Sequence, residues 1–238
     1  MKKLSAKSLT LITNFILVAV LISVYAVTSL PTQIVPIYSQ AKISAIYNGN
    51  QGSNKVSLMF NVYENTKVVN EIMAVLDEHQ VKATFFIGGC WADDNGETLL
   101  KIAENGHEIA NHGYFHKDHK KLNYENNIKE ITNTNTVIKA LSNVTPTLFA
   151  PPSGSFSDTT LDACYDLNMK VIMWTLDTID WRDKDEQLVY ERATKKLKGG
   201  DLVLMHPKEH TLKALPRVLE YIKSKGFIQC TVSENLKY

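Results

Sequence analysis

Cysteine is scarce in this chain of 238 residues: Cys90, Cys164 and Cys230 are the only three. They are odd in number and far apart, with none of the short spacings of a zinc knuckle or a dithiol redox pair, so neither chemistry is expected. They read as small buried hydrophobes. One disulfide stays open for a domain outside the cytoplasm, with no pair favoured by the sequence. Net charge is nearly absent as well. Lys and Arg number 26 against 25 Asp and Glu, for a formal charge of +1, which leaves no field to hold nucleic acid or to carpet an anionic membrane. No nucleic-acid partner is expected. The chain is 44% hydrophobic and 21% charged, which excludes a disordered tail protein and allows one catalytic-sized domain with a substantial core.

Charge is missing altogether from Leu9 to Leu30, an apolar run preceded by Lys2, Lys3 and Lys7. Its length matches the ~20 residues that span a hydrocarbon core. Basic residues on its N-terminal side favour a cytoplasmic N-terminus, with everything after Pro31 outside. A cleaved signal peptide is the competing reading, since Val24-Tyr25-Ala26 offers small residues to a peptidase, although the run exceeds an ordinary signal core of ~7–15 residues. Residues 1–31 are therefore expected to be a membrane anchor or signal segment. Residues 32–54, polar and broken by Pro36 and Gly52, read as a stalk, and residues 55–238 as the functional domain.

From Lys55 onward, strand and helix patterns alternate. Val56–Phe60, Val81–Ile87, His107–Asn111, Thr147–Ala150, Lys170–Leu176 and Leu202–Met205 are short apolar segments of strand type. Helical periodicity covers Thr66–His79, Glu97–Glu104, Asn123–Ser142, Asp158–Leu167, Gln187–Lys198 and Thr211–Lys225. Phe227–Val232 closes the pattern. Short connections between alternating elements predict parallel strands with crossover helices, in an α/β barrel or an open doubly wound sheet. Chemistry then belongs at the C-terminal strand ends.

Those ends carry the polar residues of interest. His112-Gly113-Tyr114-Phe115-His116 follows the third strand and places two imidazoles four apart, a spacing suited to one divalent metal. Asp118 and His119 nearby read as surface residues. Phe149-Ala150-Pro151-Pro152-Ser153-Gly154 is a rigid turn after the fourth strand. Asp177-Thr178-Ile179-Asp180-Trp181 brings two carboxylates and an indole that either stacks on a sugar or fills the core. His206-Pro207 follows Leu202–Met205.

Taken in order, Lys82-Ala83-Thr84-Phe85-Phe86, Gly106 to His112, the Pro-Pro-x-Gly turn, Asp177 to Trp181 and Leu204-Met205-His206 resemble the polysaccharide deacetylase (NodB-homology) family. The resemblance covers roughly Lys55 to Leu236. It implies a distorted (β/α) barrel and removal of acetyl groups from N-acetylated cell-wall glycan by metal-assisted amide hydrolysis. It further implies that His112 and His116 ligate a divalent metal, usually zinc. His206 would be the general acid, oriented by Asp177, and Trp181, Pro152 and Tyr63 would contact substrate.

One region departs from the family pattern. The Thr-Phe-Asp-Asp-Gly run of the family corresponds to Met59-Phe60-Asn61-Val62-Tyr63. Asn61 stands at the base aspartate and Val62 at the third metal ligand, and Ala150 replaces the arginine before the Pro-Pro turn. An amide is no carboxylate base and an isopropyl group does not ligate. This altered first motif is similar to that of sporulation-associated deacetylase-like proteins of spore-forming bacteria. Two functions follow as expectations: an extracytoplasmic deacetylase, or a catalytically weakened domain that binds glycan, with Trp181, Tyr63 and Trp91 as stacking groups.

Overall fold

The computed structural model describes residues 5–29 and 44–237. The chain divides into two units, Met1–Lys42 and Ile43–Tyr238. In the first, α1 (Ala6–Ser29) is a continuous helix that contains a 21-residue segment, Ala6–Ala26, long and apolar enough to cross a membrane. No acid or base interrupts it after Lys7. The lysines at positions 2 and 3, and residues 32–43 of the expected stalk, lie outside the described residues.

In the second unit, β1 (Lys55–Val62) leads into α2 (Thr66–Glu78), β2 (Thr84–Ile87), α3 (Gly89–Asp94), α4 (Gly96–Glu104) and β3 (Glu108–Asn111). Then come α5 (Tyr124–Ser142), β4 (Leu148–Phe149), α6 (Asp158–Asp166), β5 (Lys170–Val171) and β6 (Leu176–Asp177). The chain closes with α7 (Glu186–Thr194), β7 (Leu202–Met205), α8 (Glu209–Ser224), β8 (Ile228–Gln229) and α9 (Val232–Asn235). The strands run in the order β5-β4-β3-β2-β1-β7-β6, with β8 beside the start of β1, and every pairing is parallel. The result is a curled half-barrel with helices around it, the distorted barrel expected from the sequence. Among the described residues β5 and β6 end the path and do not pair.

Both faces of the central strands are covered, as parallel sheets require. On β1, Leu58, Phe60 and Val62 join the outer cluster with Val69, Ile72 and Leu76 of α2, while Met59 faces inward to Phe86, Ala110, Leu204 and Ile172. This two-residue alternation sets up the site. Asn61, His112 and His206 each follow by two the inward residues Met59, Ala110 and Leu204, so they continue the inner face just past the apolar layer.

Three sequence expectations change. Residues 44–54 are no stalk: the Ile46 N–H donates to the Val171 carbonyl (2.8 Å), the Met173 N–H to the Ile46 carbonyl (2.7 Å) and the Gly49 N–H to the Gly200 carbonyl (2.7 Å), so this segment packs as part of the domain. The expected Lys170–Leu176 strand is two short strands, because the chain bends between Val171 and Leu176 where its partner changes from β4 to β7. α3, six residues after Gly88, is too short for helical periodicity to register. The cysteines are free.

Candidate functional site

The strand ends enclose a cleft of about 530 Å³, lined by Asn61, Tyr63, Glu64, His112, His116, Ser153, Trp174, Asp177, Trp181, Leu204, His206, Pro207 and Lys208. Three faces meet there: the altered end of β1, the histidine loop after β3, and the β6 and β7 ends.

The histidine loop is held from below. His112 is 1% exposed, and its Nδ1 lies 2.8 Å from the Ala150 carbonyl. A carbonyl only accepts, so Nδ1 carries the proton and Nε2 keeps its lone pair. Burial, then the neighbouring His116, pushes the His112 pKa down to about 3, leaving the ring neutral. The His112 and His116 rings meet edge to face at 5.2 Å. Between them the chain turns through Gly113 and His116, both at positive φ (73° and 53°). The buried carboxylate of Glu130 on α5 caps that turn. It accepts the Tyr114 and Phe115 N–H groups at 3.0 and 2.8 Å and pairs with the Lys117 Nζ at 2.9 Å.

On the opposite side, His206 is paired with Asp180, not with Asp177 as the resemblance implied. The Asp180 carboxylate is buried. Oδ1 lies 2.7 Å from His206 Nδ1, and Oδ2 accepts the His206 N–H (2.7 Å) and the Thr211 hydroxyl (2.6 Å). Burial pushes this carboxyl up, but the bonds from His206 and Thr211 outweigh it and hold its pKa below the ordinary value. Asp177 lines the cleft, and its Oδ1 accepts the Ile179 N–H at 2.7 Å. That short turn drives Ile179 to a φ of 54°, a strained value for a β-branched residue, and swings Asp180 back under His206. The sequence showed two carboxylates here; only the turn geometry tells them apart.

The β1 end is different in kind. Asn61 is 5% exposed, and its Oδ1 is buried without a hydrogen-bond partner. Val62 is buried in the outer apolar cluster. Tyr63 edges onto His116 at 5.0 Å, and its hydroxyl donates to the Tyr114 carbonyl at 2.9 Å. Burial raises its pKa, with Cys90 adding to the shift. It lies so close to Gly88 that a Cβ there would come within 2.1 Å of its ring. Glu64, at the mouth, is ion-paired with Lys208.

Other expected contacts fall elsewhere. Pro152 is buried beside Gly113 and does not line the cleft, where Ser153 takes its place, because the turn points its ring inward. Trp91 is a core residue whose Nε1 donates to the Thr66 hydroxyl at 3.1 Å. His119 is no surface group: it is buried against Phe149 and bonded to Asn127 (2.7 Å). Trp181 stands at the rim, 55% exposed. Trp174 and Lys208 join the cleft without having been singled out, and Leu204, named only within its motif, joins them. Leu204 was legible as the inward residue two before His206, whereas Trp174 lies in the bend that no periodicity covers.

The donor set falls short of a resident metal site. Among the described residues no three His, Cys, Asp or Glu side chains converge, and a catalytic zinc ordinarily has three protein ligands. His112 and His116 offer two imidazoles, and the cleft lining at the end of β1 adds only the neutral Asn61 amide.

The polysaccharide deacetylase model matches residues 48–172. The chain belongs to the polysaccharide deacetylase family. Relatives of two kinds stand beside it. An uncharacterized protein of Bacillus subtilis, YlxY, is 37% identical over 207 residues, covering 83% of this chain and 65% of its own length. The peptidoglycan-N-acetylglucosamine deacetylase of Bacillus cereus is 27% identical over 190 residues, covering 78% of this chain and 69% of that one. Among solved structures, wild-type BA3943 of Bacillus anthracis, a CE4 family pseudoenzyme, superimposes with a TM-score of 0.80 at 34% identity, over 82% of this chain and 69% of that one. A mutant of BA3943 is described as having restored enzymatic activity, and it matches at 33% identity with the same TM-score.

Proposed function

We propose that this domain binds cell-wall glycan in a deacetylase cleft whose own first-motif chemistry has been removed, so that it recognises the polymer without hydrolysing it at an enzymatic rate. One observation carries the reading. The β1 end presents a neutral, buried Asn61 to the cleft, where hydrolysis needs a carboxylate to take a proton from water. Val62, at the position of the third ligand, is enclosed by apolar side chains. Zinc or a similar divalent ion then meets only His112 and His116 and binds weakly. The cleft keeps what binding needs: an exposed indole on Trp181, a second at Trp174 and polar groups between them.

A second reading has its own support. The buried Asp180, with both oxygens engaged, holds His206 by Nδ1 and leaves its Nε2 without a partner among the described residues, the arrangement of an acid that protonates a leaving amine. On that reading a slow deacetylase acting on N-acetylated glycan survives, its water activated less well. In either case α1 anchors the domain outside the cytoplasm, or is removed as a signal peptide on secretion, and the wall of a spore-forming bacterium is the natural setting. Equilibrium binding of chito-oligomers and muropeptide fragments, run alongside acetate release with zinc supplied, separates the two. Saturable binding without acetate supports the first reading, and sustained release replaces it with the second.

A further inference from the structure

The polar group that β1 brings to the cleft is an amide, and which of its atoms meets the cleft bears on what the cleft reads. Asn61 is 5% exposed, and its Oδ1 is closed off without a partner. Its Nδ2 is the atom turned to the cleft, with two N–H donors that no acceptor engages among the described residues. The flipped amide would bury those donors unpaired, which folded proteins tolerate less often than an unpaired oxygen.

The rest of the lining mixes acceptors and donors. His112 gives its Nδ1 proton to Ala150, so its Nε2 keeps a lone pair. Asp177 has one carboxylate oxygen engaged by the Ile179 N–H and the other free to accept. His206, held at Nδ1 by Asp180, has no partner at Nε2 among the described residues, and Lys208 is committed to Glu64 at the mouth.

An uncharged group that both accepts and donates matches this set. A secondary amide is such a group: its carbonyl can take the Asn61 N–H, and its own N–H finds acceptors in the same lining. A free amine has no carbonyl to offer and leaves the Asn61 donors unpaired. Sites built for one hydrogen-bonding pattern reject the analogue that leaves their buried groups unpaired. Resting on the glycan-binding reading above, we propose that Asn61 is the specificity-determining residue of the cleft, its side-chain amide donating to the acetamido carbonyl so that N-acetylated glycan is held in preference to the de-N-acetylated polymer. A single residue thus accounts both for the missing base and for the hold on the group that a base would help to remove.

The test is titration of the full chain, in detergent and with EDTA to strip metal, with fully acetylated and fully deacetylated chitotetraose at mildly alkaline pH, where the amines are largely uncharged. The acetylated oligomer is expected to bind about tenfold tighter, the worth of one buried donor satisfied. Asn61→Leu, which keeps the size and removes the donors, is expected to bring the two within about twofold. Asn61→Asp, the same shape with acceptors only, is expected to weaken the acetylated oligomer by roughly tenfold or more and leave the other within about twofold, and it decides the question should the apolar variant unfold. A preference that survives these variants unchanged comes from the acetyl methyl groups and overturns the proposal. Equal affinities for the unaltered chain, or tighter binding of the deacetylated oligomer, overturn it too while leaving glycan binding intact. Binding of neither oligomer removes the glycan-binding reading itself.

Discussion

The two walls of the cleft face each other but are built to different standards. On the β6–β7 side, Asp180 is buried and every oxygen is engaged, by the His206 backbone, the His206 ring and Thr211. On the β1 side, Asn61 keeps a buried oxygen with nothing bound to it, and its neighbour Val62 belongs to the hydrophobic core. The difference shows which wall is part of the scaffold. Removing the Asp180 carboxylate would orphan three donors at once, whereas replacing carboxylates at the β1 end with an amide and an isopropyl group relieves like-charge crowding and leaves the strand packed. The β1 end therefore tolerates a change of side chain without unfolding, whereas the Asp180–His206 pair is tied into the fold.

The strongest way to break this contrast is to rebuild the weaker wall. Asn61→Asp with Val62→Asp and Ala150→Arg is expected to tighten zinc binding and to raise acetate release with zinc by at least ~100-fold, the lower range for a positioned general base. Both are read by metal titration and an acetate assay. If neither moves, Asn61 and Val62 do not correspond to the family aspartates. Val62 faces apolar neighbours, so the strand end must turn for its replacement to ligate.

Next in size is the opposite wall. Asp180→Ala is expected to destabilise the domain by about 3–5 kcal/mol, as breaking a buried pair does. Asp177→Ala should cost about 1 kcal/mol or less, since it loses one bond to a partly exposed turn. Calorimetric melting compares them, and equal losses would contradict the placement of Asp180 beneath His206.

A third prediction concerns acid. His107 is buried and accepts the Ala83 N–H at Nδ1 (3.3 Å), and burial, then Lys82, lowers its pKa to about 4. The unfolded chain binds this proton near pH 6.5, so stability from the neutral ring is complete above that value. It falls as pH drops towards 4, by up to about 3 kcal/mol from this group. His107→Leu should flatten that limb of the stability–pH curve; an unchanged limb would show that His107 is not its source. The smallest effect is expected of Trp181→Ala. It should weaken glycan binding about 3–10-fold, the worth of one aromatic contact, without shifting the melting temperature, because the indole is exposed.

Much of this architecture was legible in the residues. Alternation of strand and helix left an α/β barrel or an open doubly wound sheet, and the order of the motifs, through the family resemblance, pointed to the distorted barrel; the histidines at 112, 116 and 206 were found because they follow apolar strands. What escaped was set by geometry that no periodicity encodes. Asp177 and Asp180 are alike in sequence, and only the strained turn at Ile179 decides which one reaches His206. Pro152 looked like a wall of the cleft because its turn is there, yet its ring faces Gly113. The segment from Ala45 to Asn54 looked like a stalk because its bonds to the domain run through backbone groups, which composition does not reveal.

The central claim is that the cleft binds glycan without turning it over. Its most direct measurement follows acetylated and deacetylated chito-oligomers with the same zinc-supplied preparation, recording bound ligand and released acetate together. Saturable binding with acetate no higher than in a sample lacking protein is the predicted result. Acetate accumulating over many turnovers per molecule would contradict it and return the protein to the active deacetylases.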